Sequence, residues 1–214
     1  MLQFLFPPKC VLCRKLLNRG ETDLCHSCRK DAPEFKRAKR NIPFVAHWTA
    51  LWYYKENVRK SVHRFKFGNA RGYADAYARL LSLQIQETFS GTFDVVTWAP
   101  ISRLRHFKRG YDQAELLARG ISKEIGIPAR RLLKKIRHTP PQSSFYNAAQ
   151  RRANVMGVYR TCNPRSIAGK RILLLDDVVT TGATASACAQ TLLIGGAKEV
   201  YFAALAAASD DNNK

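Results

Sequence analysis

The stretch RILLLDDVVTTGAT, Arg171 to Thr184, constrains the fold more tightly than any other part of this 214-residue chain. Ile172 to Leu175 are apolar without alternation, the pattern of a strand covered on both faces. Asp176 and Asp177 end that strand, and Thr180 to Thr184 form a turn into a helix. Gly182 permits a backbone geometry that a bulky residue resists. Amides at the helix start, with the Thr hydroxyls, make an anion cradle favoured by the helix dipole. The carboxylates cannot hold that anion, but they can accept hydrogen bonds from neighbouring hydroxyls such as a ribose diol. Phosphate and diol side by side describe a ribose 5-phosphate.

The surrounding pattern predicts where such a strand sits. FDVVTWAP is a short apolar strand ended by Pro100, and GYDQAELLARGISKEIG places Ala114, Leu117, Ala118, Ile121 and Ile125 on one helix face, closed by Gly126. A second strand is expected around Leu132 to Ile136, a helix from about Thr184 to Ile194, and a last strand from Val200. Upstream, Phe44 to Tyr54 reads as a strand or hairpin whose aromatics pack a core, and Tyr73, Tyr77, Leu80, Leu81 and Ile85 recur at helical spacing. Strands alternating with helices imply an α/β fold with a parallel sheet, which binds ligands outside the carboxyl ends of its strands.

Four of the six cysteines fall in the first 28 residues, as Cys10-x2-Cys13-x11-Cys25-x2-Cys28. Each CxxC folds as a knuckle that aims two thiolates at one point, and two knuckles supply the closed tetrahedral set of structural zinc. Two disulfides would suit the same spacing in a secreted chain, but the start, MLQFLFPPKC, has no charged n-region and does not read as an export signal. His26 is expected to be a surface residue, because four thiolates fill the shell. Cys188 is expected to be a small buried residue. A charged linker, EFKRAKRN, then divides a module over residues 1–40 from a domain over 41–214.

The strand, acidic pair and Thr/Gly turn resemble the fingerprint of the type I phosphoribosyltransferases. The N-terminal cysteine pattern, VHRFKFGNA, KRGYDQAELLA and DDVVTTGAT together resemble the ComF/GntX family over nearly the whole chain. That resemblance implies a zinc ribbon followed by a type I phosphoribosyltransferase-like sheet with flanking helices. It implies that Asp176 and Asp177 contact the ribose hydroxyls of phosphoribosyl pyrophosphate (PRPP), brought with magnesium. It also implies that Thr180, Thr181, Gly182, Ala183 and Thr184 bind the 5-phosphate. By the same resemblance Ala99, Pro100, Ile101 and Ser102 form the pyrophosphate loop. The basic segment RLRHFKR follows it, with Arg105 and Arg109 placed to meet a departing pyrophosphate. The family's usual RGFNQ reads RGYDQ here, so Tyr111 and Asp112 replace Phe and Asn and add a negative charge beside Arg109. Arg137 to Arg152 stand where type I enzymes carry a flexible catalytic loop, which makes Arg151 and Arg152 candidate ligand contacts.

Charge extends the partner class. With 36 Lys and Arg against 16 Asp and Glu, the net charge is +20, which favours polyanions such as nucleic acid or phosphorylated metabolites. No stretch is long enough to insert in a membrane, so the expected setting is the cytoplasm. Three functions fit. One is a PRPP-binding protein handling single-stranded DNA during natural competence, beside other competence proteins. Another is an active phosphoribosyltransferase on an unidentified acceptor, although the neutral Thr180 stands where purine-salvage relatives carry an acid. The third is a PRPP-sensing regulator.

Overall fold

The computed structural model describes residues 7–36, 40–68, 70–136 and 157–209. Four strands form one parallel sheet: β1 (Trp48–Tyr53), β2 (Val95–Trp98), β5 (Arg171–Val179) and β6 (Glu199–Ala207), in the order β1-β6-β5-β2. The long apolar strand is therefore interior, as its unbroken hydrophobicity requires. Its side chains alternate between two cores. Leu173 and Leu175 pack with α3 (Tyr73–Thr88) and α5 (Gln113–Ile125). Ile172 and Leu174 pack with Ala185, Cys188 and Leu192 of α6 (Ala183–Ile194). Gly120 lets α3 and α5 meet closely, for a Cβ there would fall 2.6 Å from the Ala78 methyl.

One expectation needs correction. The strand near Leu132 exists as β3 (Leu133–Lys135), but it pairs antiparallel with β4 (Tyr159–Thr161) in a separate two-stranded sheet. The basic stretch RLRHFKR forms helix α4 (Arg103–Arg109), started by the Ser102 side chain and closed by a left-handed Gly110. That Ser and Gly were visible cap signals. The charged linker also contributes to the core. Phe35 is buried against Trp48 and Tyr53, and the segment at Glu34 pairs with β1 at Trp52.

Helix α2 (Glu56–Phe67) was not foreseen, although Val58, Val62 and Phe65 have helical spacing. It receives the cysteine module, whose own short helix is α1 (His26–Asp31). Val11 and Leu12 are buried in the same core as Val58, Val62 and Phe65. Ser61 donates to the Val11 carbonyl, Arg64 donates to the Leu12 carbonyl at 2.6 Å, and Arg79 pairs with Asp23 at 2.5 Å. Among the described residues no helix is long and apolar enough to cross a membrane.

Candidate functional site

Strand β5 does not end at the acidic pair; it runs two residues further, to Val179. Adjacent residues on a strand point to opposite faces, so the two carboxylates leave the strand end among different protein neighbours. Asp177 meets Lys66 of α2 at 2.8 Å, with both side chains mostly covered. Asp176 belongs to the face of α6, and its Oδ1 accepts from the Asp177 amide at 2.7 Å. Burial and then the Asp177 charge push the Asp176 carboxyl up to about 8, which Lys66 opposes.

The turn after β5 has the expected form. Gly182 is left-handed at φ +77 and caps α6, whose first turn carries no acidic residue and no side-chain cap. The Ala183 amide makes only a long bond, 3.4 Å, to Thr181 Oγ1, so the helix start can still receive an incoming acceptor. A small cleft of about 40 Å³ is lined by Asp176, Thr180, Gly182, Ala183 and Thr184 among others. One water fills roughly 10–15 Å³ of such space, so the cleft suits a group of phosphate size. Larger hollows of about 290 and 770 Å³ lie at the cysteine module, away from these groups.

The loop at Pro100, Ile101 and Ser102 leaves β2 next to the acidic pair, because the Ala99 amide bonds to the Leu175 carbonyl at 2.9 Å. Asp112, whose negative charge looked out of place in the sequence, fixes this loop. Its Oδ1 accepts from the amides of Ala114 and Glu115, capping α5, and its Oδ2 accepts from the Ile101 amide at 3.2 Å. Burial nevertheless pushes its carboxyl up to about 6, against those hydrogen bonds. Arg109 turns to Gln113 at 2.9 Å and lies over the Phe67 ring rather than engaging the Asp112 carboxylate. Arg105 lies near enough to Lys135 to act on its charge.

Three residues join the site unannounced by any motif: Lys66, Lys135 and Tyr159. Lys135 of β3 is held below the usual lysine range by burial and then by Arg105, while Asp176 favours its charge. Tyr159 of β4 is raised by burial, then by Cys188 and Asp176, with Thr184 acting against the rise. Cys188 is fully buried as expected, and its thiol is raised first by burial and then by Asp176. Lys66 sits in the quoted VHRFKFGNA, but nothing local tied it to Asp177. Arg151 and Arg152 lie outside the described residues.

At the module, Cys10, Cys13, Cys25 and Cys28 place all four sulfurs within 4.8 Å of one another. Thiolates about 2.3 Å from one zinc stand about 3.8 Å apart, and Cys13 and Cys25 are separated by 3.6 Å. The donor set fits structural zinc. His26 is exposed and lies outside the set.

Family comparison agrees with both halves. Residues 1–39 match the double zinc ribbon domain, and residues 108–214 match the phosphoribosyl transferase domain. Competence protein F of Haemophilus influenzae is 26% identical over 199 residues, covering 82% of this chain and 86% of that protein. DNA utilization protein YhgH of Escherichia coli O157:H7 is 28% identical over 193 residues, covering 79% and 84%. A solved structure titled as the allosteric regulatory enzyme of purine biosynthesis is 22% identical with a TM-score of 0.45, covering 67% of this chain and 30% of that one. The resemblance to the ComF/GntX group read from the motifs holds. With a double zinc ribbon ahead of its parallel sheet, the chain belongs to the phosphoribosyl transferase domain family.

Proposed function

We propose that this protein binds PRPP, or a related ribose 5-phosphate, and acts in single-stranded DNA handling during competence. The observation that carries the first half is the convergence of three groups at the carboxyl ends of β2 and β5: the acidic pair, the Gly182 turn that starts α6 and the loop at Pro100–Ser102. In this reading Thr180 to Thr184 take the 5-phosphate. Asp176 and Asp177 accept from the ribose hydroxyls, and Ser102, Arg105 and Arg109 lie toward the pyrophosphate. Magnesium would enter with the pyrophosphate, and the hard carboxylate oxygens of the acidic pair fit such an ion. Calorimetric titration of PRPP with magnesium tests this: binding should vanish in the Asp176→Asn, Asp177→Asn variant and be present in the parent.

The DNA half is supported by the charge of +20 and by the names of the two relatives. A surface that suits it is α4, where Phe107 is 87% exposed and Leu104 49% exposed among Arg105, His106 and Lys108. Exposed aromatics stack bases while the cations meet phosphates. Binding of single strands should fall steeply with salt and weaken in Phe107→Ser. The two modules, residues 1–40 and 41–214, would work together in the cytoplasm, beside other competence proteins. The match to a transferase family favours a second reading, transfer of the phosphoribosyl group to an acceptor. Pyrophosphate release with a panel of bases and amines tests it.

A further inference from the structure

The segment between the cysteine module and β1 passes directly over the turn that follows β5. Arg40 donates from its guanidinium to the Thr180 carbonyl, across 140 positions of chain. The arginine is itself anchored: its carbonyl accepts from the Trp48 indole at 2.8 Å, and its guanidinium lies 5.9 Å from the centre of that ring. Two residues on, Ile42 is 2% exposed and packs on Gly182, so that a Cβ at Gly182 would fall 2.9 Å from Ile42 Cγ1. One side of the turn is thus the α6 cleft, and the other is this strap.

We infer that Arg40 and Ile42 are positioning residues for the phosphate turn, an inference that rests on the phosphate reading of that turn. Its physical basis lies in the peptide plane. In a trans peptide the carbonyl and the following amide point in opposite directions, and no cis bond occurs among the described residues. Drawing the Thr180 carbonyl toward Arg40 therefore turns the Thr181 N–H away from the strap and removes a repulsive lone pair from an anion site. Arg40 is not among the residues that line the cleft, so it acts through Thr180 rather than on the ligand. Ile42 fills the space that a side chain at Gly182 would need and supports the left-handed turn. The segment that ties the zinc module to the sheet thereby becomes part of the apparatus that shapes the site.

The test compares two probes, ribose 5-phosphate and inorganic pyrophosphate, by calorimetry on the zinc-loaded full chain. A hydrogen bond to a charged group is worth enough that Arg40→Met should weaken ribose 5-phosphate about tenfold. Pyrophosphate affinity, zinc content and melting temperature should stay unchanged. Arg40→Lys, which keeps one cationic donor, should recover part of the loss. Ile42→Ala should weaken ribose 5-phosphate in the same selective way. Unchanged ribose 5-phosphate affinity in Arg40→Met, or an equal loss for both probes, overturns the inference while leaving the phosphate site standing. A parent protein that binds neither probe removes the phosphate reading itself, and the inference with it.

Discussion

The cysteine module and the β5 site are both clusters of reactive groups, built on opposite principles. In the module, four ligands come from two short knuckles, which bring their sulfurs within 4.8 Å of one another as one structural zinc requires. At β5 the groups come from α2, β2, α5, β3, β4 and α6, and no ion is needed to gather them, because the sheet and two cores do so. The first site is a cause of its own fold; the second is a consequence of one. The module also spends its apolar residues outward, with Val11 and Leu12 inserted among α2 side chains, so its loss would be felt beyond it.

The largest expected effect breaks the module alone. Structural zinc contributes roughly 10–16 kcal/mol of apparent binding free energy in small zinc domains, so chelation or Cys25→Ser should unfold residues 7–31 as a unit. Metal analysis together with hydrogen exchange at Val11 and Leu12 checks this. Ribose 5-phosphate binding at β5 should survive, weakened by no more than a few-fold; its complete loss would show that the two regions are one folding unit.

A smaller loss is expected from Lys66→Met, which strips the mostly covered Asp177 of its cation. Breaking such a pair should cost about 2 kcal/mol, read as a lower melting temperature with zinc content unchanged.

Next comes pH. The Asp176 carboxyl is raised from its ordinary 3.8 to about 8, and Asp112 to about 6. Between the ordinary value and the raised one, the folded protein holds more protons than the unfolded chain, so stability falls as pH rises. The contribution is complete below about pH 4 and is lost by about pH 8. Asp176→Asn should flatten the upper part of that profile in thermal melts and still abolish PRPP binding, separating what the residue costs the fold from what it does for a ligand.

The smallest effect is expected from Asp112→Asn. An amide offers one acceptor oxygen where the carboxylate uses two, so either the α5 cap or the Ile101 amide loses its partner. The cost is about 1 kcal/mol, offset in part by removal of a carboxylate disfavoured by burial. Faster exchange at the Ile101 amide, or at Ala114 and Glu115, identifies which bond was given up.

Much of this was legible in the chain. The β5 strand, the Gly182 turn, α5 with Gly126 behind it, and the four-cysteine module all announce themselves through spacing within a dozen residues or so. Helix α4 was legible too, from the caps Ser102 and Gly110, though its dense positive charge drew attention to ligand contact instead of to secondary structure. The acidic pair was legible as a motif, but the protein neighbours of each member were not: Asp177 meets Lys66, while the Asp176 carboxylate accepts from the Asp177 amide.

What the sequence by itself determined is therefore what short-range geometry determines: which segments are strands, where the chain must turn left-handed, and which thiols can share a metal. Only the tertiary structure decided that Lys66 balances Asp177, that Asp112 serves a helix and a loop at once, that β3 leaves the main sheet, and that Arg40 reaches Thr180. Those pairings leave no periodic trace, whether they span 11 positions, as from Asp112 to Ile101, or 140, as from Arg40 to Thr180. They form because burying both faces of one strand brings distant helices to the same sheet end, where each uncovered polar group must find a partner.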